Sequence, residues 1–171
     1  MFREANNSDV SRLCAMVNGA YRGDSGKRGW TTEAHWLEGQ RMDEDWLKHL
    51  LTQVDTKIFI SVDDSDALLG CVLLQRKNAE VAHLGMLTVD VEKQIGGVGS
   101  GLLKFAESYA KSSWSLKRIE MNVISIRKEL IDWYLRRNYQ ITGEKRPFPT
   151  DERFGIPLID NLEFDVLVKN I

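Results

Sequence analysis

Four glycines crowd one stretch of this chain: Gly96, Gly97, Gly99 and Gly101, lying between an apolar run that closes at Val89 and the pair Leu102 and Leu103. Glycine lets backbone approach a ligand closely, and a helix start offers unpaired N–H groups at the positive end of a dipole. An apolar strand, bare amides and a helix N-terminus, in that order, suit an anion and most often a phosphate. Two common phosphate templates fit poorly. A nucleotide-triphosphate loop needs a lysine directly after its last glycine, and none follows here. A dinucleotide fingerprint needs a third glycine where Leu102 stands, although Glu120 lies near the ribose-binding spacing. A nicotinamide oxidoreductase is therefore disfavoured, and a ligand-free glycine turn stays open as the bland alternative.

Hydrophobic periodicity supplies the elements that must carry this stretch. Residues 2–5 read as a strand, and Asn6 with Asp9 three positions on reads as a variant capping box. Val10, Leu13, Cys14, Val17 and Tyr21 then share one helical face. Residues 22–29 are too polar and glycine-rich for a packed element and read as a loop. Thr31 or Thr32 is expected to cap a short helix carrying His35, Trp36 and Leu37, and a second helix begins near Asp43 with Trp46, Leu47, Leu50 and Leu51. Trp36 and Trp46 are expected to face the core, whereas Trp30 beside the glycine loop is a candidate for function. Runs at 57–62, 67–74 and 81–89, at hairpin spacing, predict an antiparallel meander. Leu102, Leu103, Ala106, Tyr109 and Ala110 make a crossover helix, so the strand at 117–124 should pair parallel to 81–89. A helix over 127–137 ends at Asn138, a residue tolerant of the left-handed conformation. A strand at 139–143, a long loop at 151–161 and an alternating strand through Leu162, Phe164, Val166 and Val168 close the chain. The reading is one α+β domain over residues 1–171.

At 171 residues the chain can bury a core without covalent staples, and its formal net charge of -2 argues against a general binder of nucleic acid or anionic membrane. Cys14 and Cys71 read as small buried hydrophobes, with a metal site not expected. No basic segment with an apolar run opens the chain and no stretch approaches membrane length, so a cytoplasmic location is expected. The Arg22-Gly23-Asp24 tripeptide carries no weight in such a setting.

Gln94, Gly97 and Gly99 behind a strand ending in Val89, with Ser100 and the Leu102–Leu103 pair, resemble the acyl-CoA signature of the GCN5-related N-acetyltransferase (GNAT) superfamily. The order of elements along the whole chain fits that layout too. The resemblance implies a mixed, mostly antiparallel sheet flanked by helices, with its fourth and fifth strands splayed around acyl-CoA. Leu87, Thr88 and Val89 would then align the pantetheine arm, with an N–H there on the thioester oxygen. Gln94, Ile95, Gly96, Gly97, Val98, Gly99 and Ser100 would hold the pyrophosphate. The run Trp133-Tyr134-Leu135-Arg136-Arg137-Asn138-Tyr139 resembles the family's second signature, which implies Tyr134 as general acid. Asn138 and Tyr139 replace the commoner glycine and phenylalanine, and Arg127 stands where an asparagine often contacts the arm.

The implied reaction moves an acetyl group from acetyl-CoA to a primary amine of a small molecule or peptide by direct attack in a ternary complex. An amine of pKa about 10 must lose a proton, and a thiolate of pKa about 8.5 must regain one. Glu33, Glu80 and His83 are candidate bases, and a water chain is an alternative. The family places acceptor contacts at 21–41 and 146–156, which singles out Tyr21, Arg22, Trp30, Thr31 and Glu33. The segment around Tyr21 and Trp30 resembles one found in uncharacterised bacterial members. A monomer or homodimer is expected. The rival in another class is a non-catalytic acyl-CoA sensor, against which the retained Tyr134 argues.

Overall fold

The structure is a computed structural model that describes residues 1–22, 33–93, 96–152 and 155–171. Asn6 caps the first turn as its residue type suggests, its side chain accepting from the Ser8 N–H while Asp9 accepts from the Asn6 N–H. This turn leads from β1 (Phe2–Glu4) into α1 (Val10–Tyr21). Asp43 caps α2 (Glu44–Thr52) by accepting from the Trp46 N–H at 2.7 Å. The meander follows as β3 (Thr56–Val62), β4 (Leu68–Arg76) and β5 (Val81–Val89). After the glycines come α3 (Val98–Ser112), β6 (Arg118–Ile124) and α4 (Lys128–Leu135). Asn138, at φ 67, turns the chain into β7 (Gln140–Pro147), and β9 (Glu163–Asn170) closes it.

Among the described residues these strands form a seven-stranded sheet in the order β1-β3-β4-β5-β6-β9-β7. Every pairing is antiparallel except β5 with β6, as the crossover through α3 requires. Period-two alternation divides the apolar residues between two faces. Ile58, Ile60 and Val62 pack with Leu13, Val17, Leu47 and Leu50 on the α1/α2 face. Phe59, Val72 and Leu74 pack with Leu102, Leu103 and Ala106 on the α3/α4 face. Leu102 and Leu103 are essentially fully buried, and each such side chain contributes about 1.5–3 kcal/mol by leaving water.

Three departures from the sequence reading have local causes. The helix expected at His35–Leu37 is a single turn, with the Trp36 and Leu37 N–H groups both donating to the Glu33 carbonyl. Leu37 and Glu38 then form a short strand, β2, antiparallel to β8 (Ile156–Pro157) inside what reads as a loop. Gly39, at φ +85, sends the chain out of it. β7 runs past Gly143 because that residue, at φ 84, is absorbed in an irregularity between Ile141 and Lys145. Finally, β9 lies between β6 and β7, a placement that periodicity alone does not order.

Two irregularities in β5 shape the middle of the sheet. It pairs with β6 only at Val81, Ala82 and His83, after which the two strands part. Opposite β4 the register shifts between Cys71 and Leu73, so that β5 carries one extra residue, and Met86 sits at φ 51. Such a bulge re-aims the backbone that follows it.

Candidate active site

The four glycines do different things. Gly97 is the residue before α3 and sits at φ 78, with no atom within 4 Å of where a Cβ would stand; Gly96 is alike at φ +101. No side chain caps α3, so the first-turn N–H groups of Val98, Gly99 and Ser100 have no acceptor among the described residues. A Cβ on Gly99 would lie 3.3 Å from Val89 Cγ2, which draws the helix start against the end of β5. Gly101 answers to packing instead, because a Cβ there would meet the Phe2 ring at 2.7 Å.

One side of the splayed strands opens onto a cavity of about 240 Å³ that includes Leu87, Thr88, Val89, Gly97 and Ser100 in its wall. Arg137 stands at its rim, its guanidinium 3.5 Å from the centre of the Trp133 ring. One nitrogen donates to the Trp133 carbonyl and another to the Ser100 hydroxyl, both at 2.8 Å. A cation is thus fixed at the uncapped helix start, where a phosphate would sit. Sequence reading passed over Arg137, although its spacing of four from Trp133 on α4 was a usable signal.

A second cavity, of about 230 Å³, adjoins the first, with Glu33, Arg41, His83, Asn122 and Phe148 in its wall. The two cavities share Tyr21, Leu87, Arg127, Leu130 and Tyr134. The Tyr21 hydroxyl donates to the Leu87 carbonyl at 3.0 Å, which pins α1 to the bulged part of β5. Tyr134 projects from α4 between the Trp133 and Tyr139 rings, at centroid distances of 5.0 and 5.5 Å. Its hydroxyl has no hydrogen-bond partner among the described residues. Burial pushes the Tyr134 phenol well above its ordinary value, Tyr21 adds to the shift, and Arg127 and Arg137 oppose it. Tyr134 is therefore a proton holder throughout the working pH range.

Glu33 is the hub of the second cavity. Its two oxygens accept from Arg22 at 2.6 Å and Arg127 at 2.8 Å, all three side chains being buried. Burial alone would raise its pKa, but Arg127, Arg41 and Arg22 outweigh it and hold the carboxyl below its ordinary value. A carboxylate gripped in this way keeps its charge and ties the two guanidinium groups together. Glu80 is paired with Lys117 at 2.8 Å on the exposed turn before β5 and borders neither cavity. His83 does reach the second cavity. Burial, with Lys77 and Arg146 and against Glu120, lowers its imidazole to about 4, so it is neutral at pH 7. Arg127 borders both cavities, and Arg22 borders neither. Trp30 and Thr31, and Gln94 and Ile95, lie outside the described residues.

A mostly antiparallel sheet with one parallel pair that opens, an uncapped glycine-led helix at the opening and a tyrosine across the gap define a class of acyl-CoA-dependent acyltransferase folds. A family model described as the acetyltransferase (GNAT) family matches residues 17–139, and the chain belongs to that family. A curated relative, the probable N-acetyltransferase 14 of Xenopus tropicalis, is 31% identical over 88 residues; the match spans 51% of this chain and 42% of that protein. Among solved structures, the spermidine/spermine N-acetyltransferase SpeG of Vibrio cholerae superposes with a TM-score of 0.70 at 17% identity, over 99% of this chain and 91% of that one. A GNAT acetyltransferase of Elizabethkingia anophelis with acetyl-CoA bound gives 0.63 at 17% identity, over 75% and 84%. At these identities the structural likeness is one of fold. No helix among the described residues is long and apolar enough to cross a membrane.

Proposed function

We propose that this protein transfers an acetyl group from acetyl-CoA to a primary amine, with both substrates bound at once. One observation carries the reading: two adjoining cavities at the β5–β6 opening meet at Leu87, Arg127 and Tyr134. Acetyl-CoA supplies an activated acyl group and a good leaving group when bound. The first-turn amides of α3, with the Arg137 guanidinium, would hold its phosphates. The open space at Gly96 and Gly97 fits that role, since side chains there would fill it. Beyond His83 the β6-facing edge of β5 is unpaired, so its backbone is free to align the arm as a strand does.

The amine nitrogen forms its new bond to the acyl carbon as the carbon–sulfur bond breaks. Tyr134 Oη gives its proton to the departing sulfur and is reprotonated from solvent. The ammonium proton leaves earlier. Arg41 and Arg127 stand in this wall, and like charge disfavours an ammonium beside them. His83, neutral on the wall, can accept a hydrogen bond from the water that carries the proton out. No strong protein base is required, which agrees with the lowered values of both Glu33 and His83.

The test is calorimetric titration with acetyl-CoA, followed by free-thiol release against a panel of amines. Saturable binding with amine-dependent thiol release supports the proposal. Binding without turnover on any amine would favour a sensor, and absence of binding would remove the cofactor assignment.

A further inference from the structure

We infer that the acceptor is an amino-acid-like zwitterion, carrying a carboxylate a few bonds from the amine that reacts. This rests on the reading that the second cavity is the acceptor side. Three guanidinium groups, those of Arg22, Arg41 and Arg127, converge there on one carboxylate, Glu33. Arg22 and Arg127 occupy its two oxygens. Arg41 is half-buried, makes no ion pair among the described residues, and stands 5.5 Å from the centre of the Tyr21 ring. Arg127 lies 5.9 Å from the same ring, so the Tyr21 side chain carries cations at both distances while its hydroxyl reaches the Leu87 carbonyl.

Arg41 has no carboxylate partner among the described residues, so holding its charge half-buried is unfavourable, and a bound anion would relieve it. An acceptor's carboxylate on Arg41 does this while leaving its amine at Leu87 and Tyr134. Leu84, Phe148 and Phe164 add apolar stretches of wall that suit a hydrocarbon body. Glu120 and Glu144 share Arg146 outside the cavity wall, so those carboxylates are also engaged. A polyamine, with several ammonium groups and no anion, would set like charge beside Arg41 and leave it without a partner. This cavity therefore calls for a different acceptor from the one named for SpeG, despite the shared fold. A volume of about 230 Å³ also limits the occupant to a small molecule or one end of a larger one.

The experiment compares matched triplets on the purified full chain: phenylalanine with phenethylamine and the corresponding aminophosphonate, and lysine with cadaverine and its aminophosphonate, with spermidine alongside. Each is titrated calorimetrically with and without CoA, and assayed for thiol release from acetyl-CoA. Arg41→Gln and Arg41→Lys are run in parallel. The carboxylate member should be preferred roughly 10- to 100-fold over its decarboxylated partner, the range of one charge-assisted hydrogen bond. Arg41→Gln should collapse that ratio towards one, and Arg41→Lys should retain part of it. Preference for spermidine, for the simple amine or for the phosphonate would overturn the inference, as would an unchanged ratio in Arg41→Gln. So would acetyl-CoA binding with no acceptor in the panel bound or acetylated, and the cofactor reading would then stand alone. Failure of acetyl-CoA to bind would refute that reading separately, while the amine titrations without CoA would still decide the carboxylate question.

Discussion

Tyr134→Phe removes one oxygen atom and leaves the ring between Trp133 and Tyr139 in place. That hydroxyl has no hydrogen-bond partner among the described residues, so the change strands no buried group and stability should move by less than about 1 kcal/mol. Turnover is another matter. General-acid catalysis typically contributes about 10²–10⁴-fold, or roughly 3–5 kcal/mol of barrier at about 1.4 kcal/mol per decade. The loss should fall on kcat, with acetyl-CoA affinity nearly unchanged, because the proton moves only in the transition state. The pH dependence follows from the raised phenol. The protonated form is the active one, and it persists until pH exceeds a value above the ordinary 10. The wild type should therefore show no alkaline limb from Tyr134 below about pH 10. The assay is thiol release under saturating acetyl-CoA from pH 6 to 10, with thermal denaturation as the folding control. Wild-type turnover in a folded Tyr134→Phe across that range would refute the acid role and assign the ring to packing.

Other substitutions separate ligand from scaffold. Gly97→Asp should abolish measurable acetyl-CoA binding by calorimetry, placing an anion in phosphate space at φ 78, and should do worse than Gly97→Ala. Gly101→Ala should instead cost at most about 1 kcal/mol, since the Phe2 ring it meets can shift, and should leave acetyl-CoA affinity intact. Glu33→Gln leaves buried Arg22 and Arg127 without their shared anion and should destabilise the fold by about 3–5 kcal/mol in urea titration. Asp9 accepts from Arg3, Arg12 and the Asn6 N–H while fully buried, and the Arg3 bonds lead in holding its carboxyl far below the usual range. A depressed carboxyl stabilises the fold above its unfolded value, near 4, and that stability fades as pH falls towards the folded one. Asp9→Asn should thus lower the midpoint at pH 7 and flatten the wild type's decline below about pH 4; equal slopes for both proteins would contradict this.

Much of this arrangement is legible in the residues. The Asn6 and Asp43 caps, the meander, the parallel crossover and the stop at Asn138 each follow from local chemistry that tertiary packing did not override. The glycine loop was legible as a class but not residue by residue, because Gly97 and Gly101 look alike in sequence and differ only in whether Phe2 lies overhead. The grip on Glu33 was not legible, because a lone carboxylate on a polar loop gives no hint of Arg127, ninety-four positions away, closing on it. Arg41 and Arg137 went unremarked for the same reason. A surface-type residue becomes a site residue only through partners distant in the chain.

The extra residue in β5 has a consequence for parity. Up to Leu84 the strand sends its even-numbered side chains, Ala82 and Leu84, to the α3/α4 face. Past the bulge, Met86 joins the α1/α2 face and Leu87 takes its place against α3 and α4. The strand is effectively two half-strands out of phase, joined at a methionine in the left-handed region, a conformation costing about 1–2 kcal/mol. Deleting one residue at the bulge would leave Leu87, Thr88 and Val89 on their present faces, whereas drawing regular alternation through Met86 with every residue kept would turn all three to the opposite faces. The cavity wall would then be rebuilt from the wrong side chains in a fold that still looked intact. An aligner or designer who trusts unbroken alternation would draw that error without meeting a single steric clash.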